Sequence, residues 1–245
     1  MAEQEVIKHT KKIVNIWKGG DHSIWHKIRE FVVEMFIIIF AVSISIWFHN
    51  WSEHRHEQAD VKKFLLGLRE DLYSDISEMN DDLNSYQLQS AAFNYVLASG
   101  RTNNLRTDSL KRHANYLYNT TGLVPNSGRF EGFKTAGKIG KIENDSLQNN
   151  ILDLYQENIP SLLSSTNFYT DSKKVFFRYL QSHLKRTSDS TSNATSILAE
   201  DEALNIAQVL TNVSEITERY NNCINKMQAI ISEIEEEYKL PPRER

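Results

Sequence analysis

FVVEMFIIIFAVSISIWFHNWSE, residues 31–53, decides the architecture. Phe31 to Phe48 is an 18-residue run whose only charge is Glu34. A helix that crosses a bilayer needs about 20 mainly apolar residues, and Ile28 and Trp51 extend the run to that length. Trp25 flanks its start, and Trp47 and Trp51 its end, where an indole with one polar edge favours the headgroup zone. A cleaved signal peptide would need a small-x-small site after the run, and His49-Asn50-Trp51-Ser52-Glu53 does not supply one. The sole cysteine is Cys223, so there is no lipobox either. The run therefore reads as an uncleaved anchor in the lipid bilayer.

Positive flanks resist translocation and set direction. Lys11, Lys12, Lys18, Lys27 and Arg29 precede the run, against Arg55, Lys62 and Lys63 after it. That balance predicts a cytoplasmic N-terminus and a periplasmic bulk, single-pass in a bacterial inner membrane. The expected organisation is a cytoplasmic leader over 1–20, an anchor with its flanks over 21–53, a helical extramembrane domain over 54–240 and a tail over 241–245.

A net charge of −4, with acidic residues spread through the chain, argues against a nucleic-acid partner, which would call for a clustered basic face. One cysteine excludes an internal disulfide and a cysteine-based zinc site. No segment of useful length alternates as a strand does.

Helix breakers are nearly absent over residues 21–98, where Gly67 is the only glycine and proline does not occur. Val61, Leu65, Leu68, Leu72, Ile76, Met79, Leu83, Tyr86, Phe93 and Leu97 recur at steps of mostly 3 and 4, a coiled-coil-like seam. Ile206, Val209, Val213, Ile216, Tyr220, Cys223, Met227, Ile230 and Ile234 form a second seam. The two could pair with each other, antiparallel, or with copies of themselves. Between them the sequence predicts a helix capped by Asp108, a turn-rich stretch over 122–140, a helix capped by Asn144 or Asp145, a helix restarted by Pro160 and a polar loop over 187–196. The fold class expected is all-α: one N-terminal transmembrane helix continuing into an elongated helical bundle or coiled-coil domain.

Glu34 to Glu53 resembles a G-E-I-(apolar)-N-N-W-N-E signature, with Glu34, Asn50, Trp51 and Glu53 at matching spacing. Phe130 to Tyr155, FEGFKTAGKIGKIENDSLQNNILDLY, resembles a pattern that opens F-x-x-L-K-x-S-G. Together they are similar to a domain-of-unknown-function family (number 6090 in that series) of single-pass Bacteroidota membrane proteins. Val33 and Ala41 stand where that family has glycine, and His49 and Ser52 where it has asparagine. The resemblance implies an anchored helical protein and brings no activity with it.

Glu34 shares a helix face with Ile38, Ala41, Ser45 and Phe48, and Ala41 and Ser45 form a small-xxx-small pair that permits close helix packing. An ionisable group in a span is a functional candidate by default. Lying about one turn inside the bilayer, Glu34 can also simply reach the headgroups, or hydrogen-bond a neighbouring helix. Asn50, Trp51 and Glu53 read as an interface anchor or as a docking motif at the membrane surface. His49, Glu53 and His56 follow one helical face with Asp60 and offer zinc ligands across an oligomer. Such spacing is common by chance, and no metal is assigned. Gly132 to Lys138 matches G-x-x-x-x-G-K, but Ile139 stands where a phosphate-binding loop needs a hydroxyl, so Gly137 reads as a helix C-cap. Cys223 falls on the second seam as a small core residue. No catalytic or cofactor-binding group stands out.

Three functions compete. A non-enzymatic scaffold or adaptor, homo-oligomeric and holding an envelope protein at the inner membrane, is the leading expectation. A periplasmic sensory or ligand-binding bundle, its pocket shaped by residues 122–142, is the second. An ion-coupled membrane subunit using Glu34 is the third.

Overall fold

The computed structural model describes residues 24–185 and 192–241. The leader over 1–20 and residues 242–245 of the tail lie outside the described residues. The protein is all-α, and no β-strand occurs among the described residues. Two compact units divide the chain between Asp60 and Val61.

The first unit holds the start of α1, Ile24–Arg101, a helix of 78 residues that runs on into the second unit. No proline or glycine interrupts it before Gly67, which leaves its ladder of i→i−4 hydrogen bonds intact. From Phe31 to Phe48 its apolar side chains face outward: Phe36 is 66% exposed, Ile39 58% and Trp47 60%. This is one helix near the N-terminus that is long and apolar enough to cross a membrane.

The second unit is a bundle. After α1 come α2 (Thr107–Tyr118), α3 (Gly128–Thr135), a 3₁₀ turn (Ile139–Lys141), α4 (Asp145–Asp153), a π turn (Leu154–Asn158), α5 (Ile159–His183), α6 (Ala194–Ile197), α7 (Asp201–Thr211) and α8 (Ser214–Tyr238). The two seams meet within one chain. Leu65, Leu68, Leu72, Met79, Tyr86 and Phe93 of α1 are fully buried, as are Tyr220, Met227, Ile230 and Ile234 of α8. Arg69 and Tyr73 both donate to Glu235 Oε1, each at 2.9 Å, and Tyr220 donates to Asp82 Oδ2 at 2.7 Å, which sets α1 and α8 antiparallel. α5 runs parallel to α1: Tyr86 packs edge-on against Tyr169, and Phe93 against Phe176, at ring separations of 5.3 and 5.1 Å.

The chain thus climbs α1, descends through α2 and an extended segment over 119–127, climbs α4 and α5, and descends α7 and α8. An up-down-up-down bundle ordinarily uses four helices. Here half of the second leg is extended chain. Thr120-Thr121-Gly122 and Pro125 explain why, since β-branched residues, glycine and proline all disfavour a helix. We refer to this segment as the strap.

Several local expectations are met. Asn144 has extended backbone angles, and its Oδ1 accepts from Leu147 N–H at 3.1 Å, capping α4. Gly137 sits at φ +70°, and Lys138 N–H reaches Phe133 O while Gly137 N–H reaches Lys134 O, the Schellman pattern that ends α3. Cys223 is buried, and burial pushes its thiol up to about 11.

Others need correction. The second seam is not one helix. It breaks at Asn212, whose Oδ1 accepts from Ser214 N–H (3.1 Å) and Oγ–H (2.8 Å) and so starts α8. Before the break the buried residues are Ala203, Leu204, Ala207 and Leu210, while Val209 is 51% exposed. Asp108 lies in the first turn of α2 instead of capping it; the capping position is Arg106, with no side-chain cap. Pro160 does not restart a helix. Asp145–His183 is helical throughout, with the π turn just ahead of the proline. Of the polar loop, residues 186–191 lie outside the described residues, and 194–197 form α6.

Candidate functional site

The residues singled out in the apolar part of α1 keep largely to their own helix. Ser45 Oγ–H donates to Ala41 O at 2.8 Å, so the small-residue pair is hydrogen-bonded along the helix. Glu34 is half-buried there. Arg55 lies over the Trp51 ring at 4.9 Å, an interaction available to an indole at an interface. His49 Nε2 is 3.9 Å from Glu53 Oε2; both are exposed, as are Asn50 and His56. No group of three or more histidine, cysteine or acidic side chains among the described residues is arranged to hold a metal within one chain, His49, Glu53 and His56 included.

The second unit holds a polar constellation that sequence reasoning missed. Asp75, Asp82 and Gln89 are spaced by seven along α1 and are 0%, 6% and 2% exposed. They extend the face that carries Val61, Leu68 and Val96. Three polar residues in an apolar column demand partners, because a buried polar group without one costs about 1–3 kcal/mol. The strap is that partner for Asp75 and Asp82, and there the need is mutual. Extended chain cannot satisfy its own backbone groups, so α1 must do it.

Asn126 N–H reaches both Asp75 oxygens at 3.2 Å, and Asn126 Nδ2–H reaches Oδ1 at 2.6 Å. Val124 N–H donates to Glu78 Oε1 at 3.0 Å. Thr121 Oγ1–H donates to Asp82 Oδ1 at 2.5 Å, and Tyr86 Oη–H donates to Thr121 O at 2.8 Å. Beyond the strap, Arg129 Nε–H pairs with Asp71 Oδ2 at 2.8 Å. The strap therefore lies antiparallel along about three turns of α1, from Asp75 to Tyr86.

At its upper end sits Lys173 of α5, 0% exposed. Its ammonium donates to Gln89 Oε1 (2.5 Å), to Tyr116 O (2.8 Å) and to Asn119 O. Tyr116 and Asn119 mark the end of α2, where unpaired carbonyls and the negative end of the helix dipole favour a cation. Lys173 is thus a buried C-cap supplied by another helix. Burial pulls its ammonium down from 10.5 to about 8.

Burial pushes Asp75 up from 3.8 to about 6, against the opposing pull of the Asn126 donors. A carboxyl raised on folding contributes stability that is full below pH 3.8 and is lost as pH rises through about 6. Asp75→Asn is expected to remove that dependence and to melt higher than the parent at pH 7.5, by a margin of about 3 kcal/mol or less. Chemical denaturation at pH 4.5 and 7.5 measures it, and an unchanged pH slope in the variant would sink the assignment.

Burial also pushes Tyr220 up, and its hydrogen bond to Asp82 adds to the shift. Tyr220→Phe leaves that carboxylate with Thr121 as its one remaining hydroxyl donor. The expected loss is about 1.5–3 kcal/mol, as for a hydrogen bond to a charged group. A urea titration of the variant gives the figure.

The central sequence motif is structural. Phe130 and Tyr155, its first and last residues, stack at 4.3 Å with their planes 8° apart. Phe133 stacks on Phe64 at 4.0 Å, and Ile139, Ile142, Leu147 and Ile151 are buried.

A groove of about 630 Å³ opens between α5, α7 and α8. Ser164, Ser165, Gln208 and Arg219 are among its polar walls, and Phe168 (69% exposed) and Val209 line its apolar part. It lies away from residues 122–142, where the sequence places a pocket. Residues 119–127 instead close the bundle.

No protein-family model matches the chain, and no curated protein or solved structure matches it either.

Proposed function

We propose that this protein is a single-pass, membrane-anchored helical bundle that acts as a non-enzymatic scaffold or adaptor at a bacterial inner membrane. The observation that carries this reading is the outward-facing apolar run of α1 beside a bundle that is packed within one chain. Exposed apolar surface on this scale needs a covering phase, and lipid fits a run of this length. The positive flanks favour a cytoplasmic N-terminus and a periplasmic bundle. The likeness of residues 34–53 and 130–155 to the family of single-pass membrane proteins points the same way. The buried column serves packing and fastening, which leaves the bundle surface as the place for partners.

The seams meet within one chain, so they no longer argue for self-association. Homo-oligomerisation then rests on the membrane helix and its Ala41–Ser45 face. The test is purification of tagged full-length protein in mild detergent, with native mass and co-purifying proteins determined. A stoichiometric envelope protein supports the scaffold reading. A bare monomer that captures nothing overturns it.

The groove favours a second reading, a ligand-binding sensory bundle, because it sets a few polar groups around an apolar floor. Thermal-shift screening of the full-length protein decides it: no stabilisation by any small molecule counts against a sensor. An ion-coupled role for Glu34 is the third reading. Normal cellular function with Glu34→Gln would remove it.

A further inference from the structure

The groove between α5, α7 and α8 straddles the break in the second seam. Gln208 and Val209 lie before the break, Asn212 at it, and Glu215 and Arg219 after it. Glu215 Oε1 takes Ser165 Oγ–H at 3.1 Å, and Arg219 Nε–H and Nη2–H at 2.9 and 2.7 Å. Its Oε2 receives no hydrogen bond among the described residues. Arg219 and then Ser165 hold the carboxyl below its usual range, so it stays an acceptor at neutral pH. Asn212 uses its Oδ1 on Ser214 and keeps both Nδ2 hydrogens, and Ser164 Oγ has no partner among the described residues. Phe168 shows 69% of its surface at the same groove.

Charge narrows the occupant. Glu215 and Arg219 are the two charged side chains of the wall, and they pair with each other, so the wall offers no net attraction to an anion or a cation. Donors and acceptors without net charge suit hydroxyls, which do both. An exposed aromatic face, negative in its π cloud, suits a ring that presents C–H bonds. A pyranose carries hydroxyls on its edge and C–H bonds on its face. The groove, at about 630 Å³, has the volume of a small-ligand site. We propose that it is a saccharide site taking a neutral pyranose sugar or a short neutral glycan, with Phe168 stacked on the sugar face and Glu215 Oε2, Asn212 Nδ2 and Ser164 Oγ bonded to its hydroxyls. The inference rests on the ligand-binding reading of the bundle and gives that reading its ligand class.

The experiment is titration calorimetry of the full-length protein in a detergent without a sugar headgroup, which would compete. The probes are glucose, galactose, mannose, N-acetylglucosamine and their short neutral oligomers, with glucuronate and glucosamine as charged comparators. The expected result is a neutral sugar bound with a Kd of about 1 mM or tighter. Phe168→Ala should weaken it roughly tenfold, and the exposure of that ring means its loss costs the fold little. Glu215→Gln replaces the open carboxylate and should weaken it by a similar factor. Val175→Ala, half-exposed on α5 outside the groove, should leave it unchanged. Binding that Phe168→Ala leaves within twofold overturns the proposal, and so does a charged comparator that binds tighter than the neutral sugars. If no sugar binds while another small molecule stabilises the protein in the thermal-shift screen, the saccharide class falls and the ligand-binding reading stands. If neither binds, both fall.

Discussion

Lys173→Ala should cost the bundle about 3–5 kcal/mol and lower its melting temperature by roughly 10 °C. The side chain fills a site with no solvent access, and its removal leaves Gln89 Oε1 and the Tyr116 and Asn119 carbonyls without their donor. Three carbonyl oxygens lose their partner at once, and a void opens against Phe93, whose ring lies 5.7 Å from the ammonium. Against this stands relief from burying a cation, which is why the expected figure is not larger. Lys173→Met separates the two contributions. It restores most of the volume without the donors, and it should recover about half of the loss. Circular-dichroism melts of the full-length variants in detergent measure both. A Lys173→Ala melt within 2 °C of the parent, taken as about half a kcal/mol, would falsify the cap. Proteolysis adds a local readout: the variant should be nicked first within residues 119–127, because that end of the strap loses its fastening.

Ile38→Arg combined with Val42→Arg should move the protein out of the membrane fraction. Each arginine near the centre of a span costs about 2.5–3.5 kcal/mol on insertion scales, so the pair removes about 6 kcal/mol from the insertion of the helix. Carbonate extraction followed by blotting reads the partition. Val175→Arg with Val209→Arg provides the control, since both valines are about half exposed on the bundle surface. That pair adds the same charge and should stay with the membrane. If the span variant also stays in the pellet, membrane anchoring by this helix is wrong.

The apolar helix near the N-terminus was legible as a candidate span because its signal is length and composition. The seam over 61–97 was legible because helix breakers are missing and the apolar spacing is regular. The seam over 206–234 misled for an instructive reason. Val209 and Val213 continue the spacing, yet Asn212 offers its side chain to the amide of Ser214, and that local bond outcompetes continuation of the helix. Seven-residue spacing was also the hidden mark of the polar column. Asp75, Asp82 and Gln89 repeat with the same period as the apolar residues around them, but a search for apolar periodicity passes over a polar residue on a buried face. Lys173 carried no signal of its own. Its neighbours on α5 are ordinary, and its role depends on where α2 ends, which only the assembled bundle fixes.

The strap has a further consequence, for chain length. Extended chain advances about 3.3 Å per residue and a helix about 1.5 Å, so the strap and α1 lie side by side like two scales of unequal graduation. They coincide at a few marks: Thr121 with Asp82 and Tyr86, Val124 with Glu78, Asn126 with Asp75. One residue inserted between Thr121 and Asn126 would turn every later side chain to the opposite side and slide the marks out of coincidence. Residues 119–127 should therefore resist changes of length while tolerating substitution at outward-facing Val124, which is 77% exposed.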